Sequence, residues 1–325
     1  MPDALTGFSA AVLNDAALGE SSRAGEASGG TTRGGAASGP TLVRLDDAPA
    51  NPRAVMLQVH GYNDYFFHEH MARDAAERGF AFYAVDLRRA GRSLHPDDHP
   101  HDMATIAEPG EDITAAAAAI AELHPGLPLV VHAHSTGGLS ALIWAKDHGP
   151  DNLAALVANS PLLGRTLTRS QKLRLPALPV IARVAPRMVV SHTPSVYAKN
   201  LHVSGGGAWE FDTALKRPTG VPVRAQWLSA VRRSQRRIAR GLGLEVPVLV
   251  ARSDATGPES DDNPNLHTQD IVVDVAAVAR LAPRIGPHVT ELVVPGALHD
   301  LTLAAPAQRE AYRDAVFAWL DEVLA

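Results

Sequence analysis

From residue 53 onward the chain alternates short continuous apolar runs with longer amphipathic ones, and few architectures accept that pattern. The runs A-V-M-L-Q-V (54–59), F-A-F-Y-A-V (80–85), L-P-L-V-V-H (127–132) and L-A-A-L-V-A (153–158) lack the strict polar alternation of a half-exposed strand. They suit strands buried on both faces of a parallel sheet. Between them, residues 66–78, 111–123 and 136–148 read as helices. Strand and helix in this alternation predict an open, doubly wound, mostly parallel α/β sheet. The alternation breaks over 161–245 and resumes with V-P-V-L-V-A-R (246–252), a helix near 270–281, V-T-E-L-V-V (289–294) and a last helix from about 306. The organisation expected is a core of residues 53–160 and 246–325 carrying an insert at 161–245.

Ahead of the core, F-S-A-A-V-L and T-L-V-R-L read as short strands at a sheet edge, so residues 1–52 form an N-terminal edge region. Between these strands, residues 20–40 hold six Gly and no Val, Ile, Leu or aromatic residue. Such a segment cannot offset its ordering entropy by burial and is expected to be a flexible loop. The start M-P-D-A-L-T-G-F has neither a basic nor an apolar leader region, which predicts a cytoplasmic location. Apolar stretches such as A-A-A-A-A-I-A (115–121) stop well short of the ~20 residues that span a bilayer, so no stable membrane insertion is expected.

Charge is distributed unevenly. The whole chain carries a formal −5, which offers no general attraction to nucleic acid or an anionic surface. The insert alone holds 15 basic and 3 acidic residues, a net +12, and leaves −17 on the remainder. Two explanations present themselves: docking of a basic insert on an acidic body, which is preferred, and steering of an acidic substrate by Arg residues near an entrance. The absence of Cys excludes disulfides, thiolate metal sites and Cys nucleophiles.

The chemistry is signalled where the buried run 127–132 meets the next helix, in L-V-V-H-A-H-S-T-G-G-L-S. The segment A-H-S-T-G (133–137) resembles the G-x-S-x-G nucleophile elbow of α/β-hydrolases, with Ala133 in place of the first Gly. Upstream, H-G-Y-N-D (60–64) follows a strand as the oxyanion turn does in that superfamily, and F-Y-A-V-D-L-R-R-A-G-R-S (82–93) is similar to its strand-then-D-x-x-G-x-G-x-S stretch. The elbow and the long insert together resemble the monoacylglycerol lipase, lysophospholipase and serine aminopeptidase branch.

The resemblance implies a serine hydrolase with Ser135 as nucleophile, His299 as base and a carboxylate that orients the base, in the chain order Ser, acid, His. His299 lies after the last strand, in V-V-P-G-A-L-H-D-L. For the acid, Asp270 in D-I-V-V-D-V is preferred to Asp254, which follows its strand directly. The backbone N–H groups of Tyr62 and Thr136 would hold the oxyanion, leaving His60 and the Tyr62 side chain structural or pocket-lining. The insert would be a lid. The implied reaction is hydrolysis of a lipid-like or small carboxylic ester. An amide hydrolase, thioesterase or perhydrolase on the same triad, and a non-catalytic ligand-binding protein, stay open at this level.

His95, His99 and His101 with Asp97, Asp98 and Asp102 form a second cluster, L-H-P-D-D-H-P-H-D. Two prolines and the lack of helical spacing favour a solvated loop over a metal site. No phosphate-cradling glycine motif follows a strand, so neither a nucleotide cofactor nor a metal is expected.

Overall fold

The computed structural model describes residues 5–13, 39–166 and 168–325. The glycine-rich run read as a flexible loop lies, as far as residue 38, outside the described residues.

In chain order the strands and helices are β1 (Phe8–Val12), β2 (Thr41–Leu45), β3 (Ala54–Val59), α1 (Glu69–Glu77), β4 (Phe80–Asp86), α2 (Ala107–Leu123), β5 (Leu129–His134), α3 (Ser135–His148), β6 (Leu153–Asn159), α4 (Arg169–Arg174), α5 (Leu178–Val184), β7 (Val189–Ser191), α6 (Val196–Leu201), β8 (Val223–Arg224), α7 (Ala225–Ala239), β9 (Val248–Ser253), α8 (Val275–Leu281), β10 (Val289–Val294) and α9 (Pro306–Val323). Eight strands form one sheet in the order β1-β2-β4-β3-β5-β6-β9-β10. The β1–β2 and β2–β4 pairs at one edge are antiparallel, and the other five neighbouring pairs are parallel. This is the α/β-hydrolase arrangement.

The central strands β3, β4 and β5 are buried along their whole length, as continuous apolar runs require when helices cover both faces. One face packs α2, α3 and α7 through residues such as Ile113, Leu139, Trp144 and Trp227. The other packs α1 and α9 through Met71, Phe80, Tyr312 and Phe317.

Between β6 and β9 the 161–245 segment adds no strand to the main sheet. It contains α4, α5 and α6, a two-stranded β7–β8 ribbon, and α7. The amphipathic α7 is rooted in the core, with Trp227, Ala230, Val231 and Ile238 buried beside α3. Five of the segment's fifteen basic residues pair with carboxylates elsewhere in the chain: Arg165 with Glu259, Lys199 with Asp261, Lys216 with Asp64, Arg224 with Asp102 and Arg237 with Asp147.

Helix starts differ from the sequence reading: α1 begins at Glu69 and not 66, α2 at Ala107 and not 111, and the third difference bears on the site. The helix expected near 270 begins only at Val275, because the Asp270 carboxylate accepts the N–H groups of Val272 and Val273 at 2.8 Å and holds a turn there. Asp274 then caps α8 by accepting from Ala276 and Ala277.

Candidate active site

At the end of β5 the chain turns directly into α3 through Ser135, whose φ of 54° lies in the left-handed region. A non-glycine residue there is strained, and such strain persists only where the surroundings over-determine it. The packing is close on every side. A Cβ on Gly137 would lie 2.3 Å from the His60 carbonyl oxygen, and one on Gly61 would lie 3.0 Å from the Ser135 Cβ. Small neighbours let the elbow and the 60–64 turn pack against each other, with Ala133 accommodated in the buried strand.

Ser135 Oγ lies 3.0 Å from His299 Nε2, and His299 Nδ1 lies 2.8 Å from Asp270 Oδ2. A carboxylate accepts, so Nδ1 carries the proton and donates it, leaving the Nε2 lone pair to accept from the serine hydroxyl. All three side chains are buried, and the two spare contacts of Asp270 Oδ1 are the Val272 and Val273 N–H groups. Asp254 is exposed and accepts from the Gly296 N–H at 2.9 Å, so it stands away from the imidazole. Position directly after β9 favoured it, but the 255–269 loop carries the chain round before the residue that meets His299. Asp300, next to the histidine, turns the other way and accepts from His68, Asn159 and Thr302.

Tyr62 and Thr136 line the same cavity as Ser135. Thr136 lies in the first turn of α3, where N–H groups have no intrahelical partner and the helix dipole favours negative charge. His60 crosslinks the turn to the end of β4, its Nδ1 donating to Gly61 O at 2.8 Å and its Nε2 accepting the Leu87 N–H at 3.0 Å. The Tyr62 ring packs 4.4 Å from Trp227, its hydroxyl donates to Pro222 O, and burial raises its pKa far above the usual phenol value.

Sequence reasoning missed a buried polar cluster beneath the serine. Asp64, His134 and Asp300 bring ligand-type atoms within 4.8 Å of one another, and Lys216 reaches in from the 161–245 segment to Asp64 at 2.7 Å. Burial opposes ionisation of Asp64, but Lys216 and His134 outweigh it and hold the carboxyl well below the usual range. Asp300 is held low in the same way by His134, His68 and Thr302. Burial lowers the pKa of His134 itself. Only the acid closing H-G-Y-N-D was visible in sequence, and nothing about Lys216 marks its partner.

The His95–Asp102 loop differs from the solvated reading. His101 turns inward against Tyr62 and His60, and buried Asp102 accepts from Gln226 on α7 at 2.6 Å. Residues 60–65 and this loop thus both hold the 161–245 segment.

The cavity at Ser135, about 130 Å³, also touches Lys216, Tyr197 and the Arg165–Glu259 pair. It shares Leu162, Arg165, Ser191, Val223 and Trp227 with a larger, mainly apolar cavity of about 460 Å³ between α5, β7 and α7. Among the described residues no helix is long and apolar enough to cross a membrane.

The sheet order and the elbow define an α/β-hydrolase. The profile of serine aminopeptidase, S33, matches residues 50–257, and the chain belongs to that family of serine hydrolases. A monoacylglycerol lipase of Mycolicibacterium smegmatis is 26% identical over 282 residues, 83% of this chain and 89% of the relative. Among solved structures, the monoacylglycerol lipase of Paleococcus ferrophilus superposes with a TM-score of 0.63 at 20% identity, over 84% of this chain and 96% of its own. A soluble variant of the Saccharomyces cerevisiae monoglyceride lipase, in complex with a substrate analogue, gives 0.65 at 15% identity over 88% and 92%. At these identities the structural likeness speaks for the fold alone.

Proposed function

We propose that the protein hydrolyses a carboxylic ester joining a long acyl chain to a small polyol, a monoacylglycerol-like substrate. The observation that carries the reading is the Asp270–His299–Ser135 hydrogen-bonded series opening onto a polar cavity that runs into an apolar one. Ser135 Oγ attacks the acyl carbon as its proton passes to His299 Nε2, and Asp270 holds the imidazole and stabilises the imidazolium. The Tyr62 and Thr136 N–H groups receive the oxyanion. Collapse of the intermediate breaks the ester bond, His299 returns its proton to the departing alkoxide, and water repeats the sequence on the acyl-enzyme. Residues 161–245 serve as the cap, with α7 as its root in the core.

The cavity's charges favour an ester over a peptide N-terminus. The two carboxylates that line it, Asp64 and Glu259, are already paired with Lys216 and Arg165. An α-ammonium group would meet two cations without a free anion, whereas hydroxyl groups can use paired ions as donors and acceptors. The named relatives support the same choice.

The test is a fluorophosphonate probe on the parent and on Ser135→Ala, followed by turnover of monoacylglycerols, p-nitrophenyl esters and amino-acid anilides. Labelling confined to the parent, with monoacylglycerols cleaved and anilides ignored, is expected. Equal labelling of the two proteins would remove Ser135 from the mechanism, and preferential anilide cleavage would replace the ester by an amide.

A further inference from the structure

The 460 Å³ cavity is apolar along most of its wall, yet its charged lining is all of one sign. Arg165, Arg174 and Arg232 border it, and no described Asp or Glu does. Arg165 also reaches the cavity at Ser135 and is paired with Glu259. Arg174 and Arg232 touch the larger cavity alone, from α4 and α7, and neither guanidinium forms an ion pair or hydrogen bond with any described residue. The two glutamines of the wall are occupied: Gln171 accepts the Thr168 N–H at 2.9 Å, and Gln235 donates to Leu162 O at 2.9 Å.

Arg232 stands out among these groups. It is half-buried, and its Nε is enclosed without a hydrogen-bond partner among the described residues. A surface arginine ordinarily carries its charged head out to water along an apolar stem, whereas an enclosed donor on a charged group is costly when it meets no acceptor. Burial and the like charge of Arg236, one turn further along α7, both push the pKa of Arg232 down, so its surroundings oppose the cation instead of compensating it. An apolar enclosure with one uncompensated cation in its wall suits a molecule that is apolar along its length and anionic at one point.

We propose that the larger cavity takes an alkyl chain bearing a carboxylate, which Arg232 receives side-on through Nε and one terminal nitrogen, with Arg174 adding a second positive charge to the same cavity. Side-on pairing satisfies the enclosed Nε, and the planar fork of a guanidinium matches the two oxygens of a carboxylate. A methyl-ended chain would leave that donor empty. Where the chain belongs to a substrate, the proposal rests on the ester hydrolysis described above: the scissile ester sits at Ser135 and a second acid group lies in the larger cavity, as in a half-ester of a dicarboxylic acid. The same chemistry is carried by the free long-chain acid that hydrolysis releases, held with its carboxylate at Arg232 and its tail toward Trp227.

The experiment has two arms, on the full chain and on Arg232→Met and Arg232→Lys. In the first, mono-p-nitrophenyl esters of dicarboxylic acids are compared with methyl-ended p-nitrophenyl esters of equal length over a series of chain lengths. In the second, calorimetric titration with decanoate and with decanol reads binding without chemistry. At the length that reaches Arg232, the acid-ended ester should match or exceed its methyl-ended partner in kcat/KM. The ratio of the two, which cancels any general loss of activity, should fall at least about tenfold in Arg232→Met, the worth of one charge-assisted hydrogen bond. Arg232→Lys keeps the charge without the enclosed Nε and should fall between. Removing a cation beside Arg236 should leave melting of Arg232→Met at or above that of the parent. An acid-ended ester that lags at every length, with decanoate binding weakened tenfold in Arg232→Met and decanol binding unaffected, would support the subsite and assign it to the released acid. A ratio that Arg232→Met leaves unchanged, together with decanoate binding equally unchanged, would overturn the proposal. The titration needs no turnover, so a failure of ester hydrolysis is seen apart from a failure of the subsite.

Discussion

The Lys216 ammonium lies 2.7 Å from the Asp64 carboxylate, both side chains being buried and the lysine enclosed by the rings of Phe67, Tyr197 and Phe211. The pair is one of a series of contacts. Tyr62 donates to Pro222 O, Asn63 both donates to Arg217 O and accepts the Arg217 N–H, and Asp212 N–H donates to Tyr65 Oη. Four consecutive residues of the turn beside Ser135 therefore hold residues 212–222 of the inserted segment.

Removing one partner of a buried pair leaves an uncompensated charge and costs about 3–5 kcal/mol. Lys216→Met is expected to lose about that much stability in urea unfolding, and Lys216→Met/Asp64→Asn should recover at least half of it. Independent, additive losses in the two single variants would show that the pair is not coupled.

Gly137→Ala tests the packing of the elbow. Its Cβ would meet the His60 and Val59 carbonyl oxygens at 2.3 and 2.9 Å, both backbone atoms that cannot swing aside. At Gly138 the nearest atoms lie at 3.2 Å. The first substitution should displace α3 and abolish probe labelling of Ser135, while Gly138→Ala should retain a substantial part of it. Comparable labelling of the two variants would mean that the 60–64 turn yields easily.

The parallel core was legible because burial on both faces leaves an unmistakable apolar run, and β3 spans the residues read for it. Ser135 and His299 were legible because their positions follow strand ends. The helix expected at 270 was displaced because apolar Ile271–Val273 read as helical, whereas the Asp270 side chain competes for their N–H groups. Lys216 and its buried partners were illegible for a different reason. A pairing between positions 64 and 216 depends on the route of an irregular segment, and no local periodicity encodes that route.

The two acids can be separated by rate. Losing the carboxylate that orients a catalytic histidine costs ~10⁴ in kcat, by analogy with the serine-protease triad. Asp270→Asn should approach that loss, whereas exposed Asp254→Asn, which disturbs at most the contacts from Gly296 N–H and Ser253 Oγ, should stay within a few-fold of the parent. Initial rates on one soluble ester at one pH decide the matter, and a crippled Asp254→Asn would return the role to the residue after β9.

Acid should unfold the protein through its histidines. Burial pushes His101 and His132 down to about 3 and His70 down to about 4. The unfolded imidazoles titrate near 6.5. Between roughly pH 4 and 6.5 the unfolded chain thus binds protons that the folded chain does not, and stability falls on acidification by about 1.4 kcal/mol per pH unit for each group. Asp64 and Asp300, both depressed, contribute stability above the unfolded carboxylate range near pH 4 and lose it only below that range, so they leave this window flat. Urea unfolding at a series of pH values should show the slope, and His132→Gln should make it shallower. Stability independent of pH across the window would contradict it.

The apolar cavity gives the final prediction. Each methylene removed from water contributes about 0.8 kcal/mol, or roughly fourfold. If the acyl chain runs from Ser135 past Trp227 into the cavity, kcat/KM should climb by about that factor per carbon until the chain passes beyond the cavity. Leu228 lines the cavity and is only half-buried, so Leu228→Trp can fill space there without repacking the core. The variant should lose tenfold or more in kcat/KM for long-chain esters while p-nitrophenyl acetate, too short to reach Leu228, is cleaved as in the parent. A uniform loss across chain lengths would place the acyl chain elsewhere and leave the cavity to some other occupant.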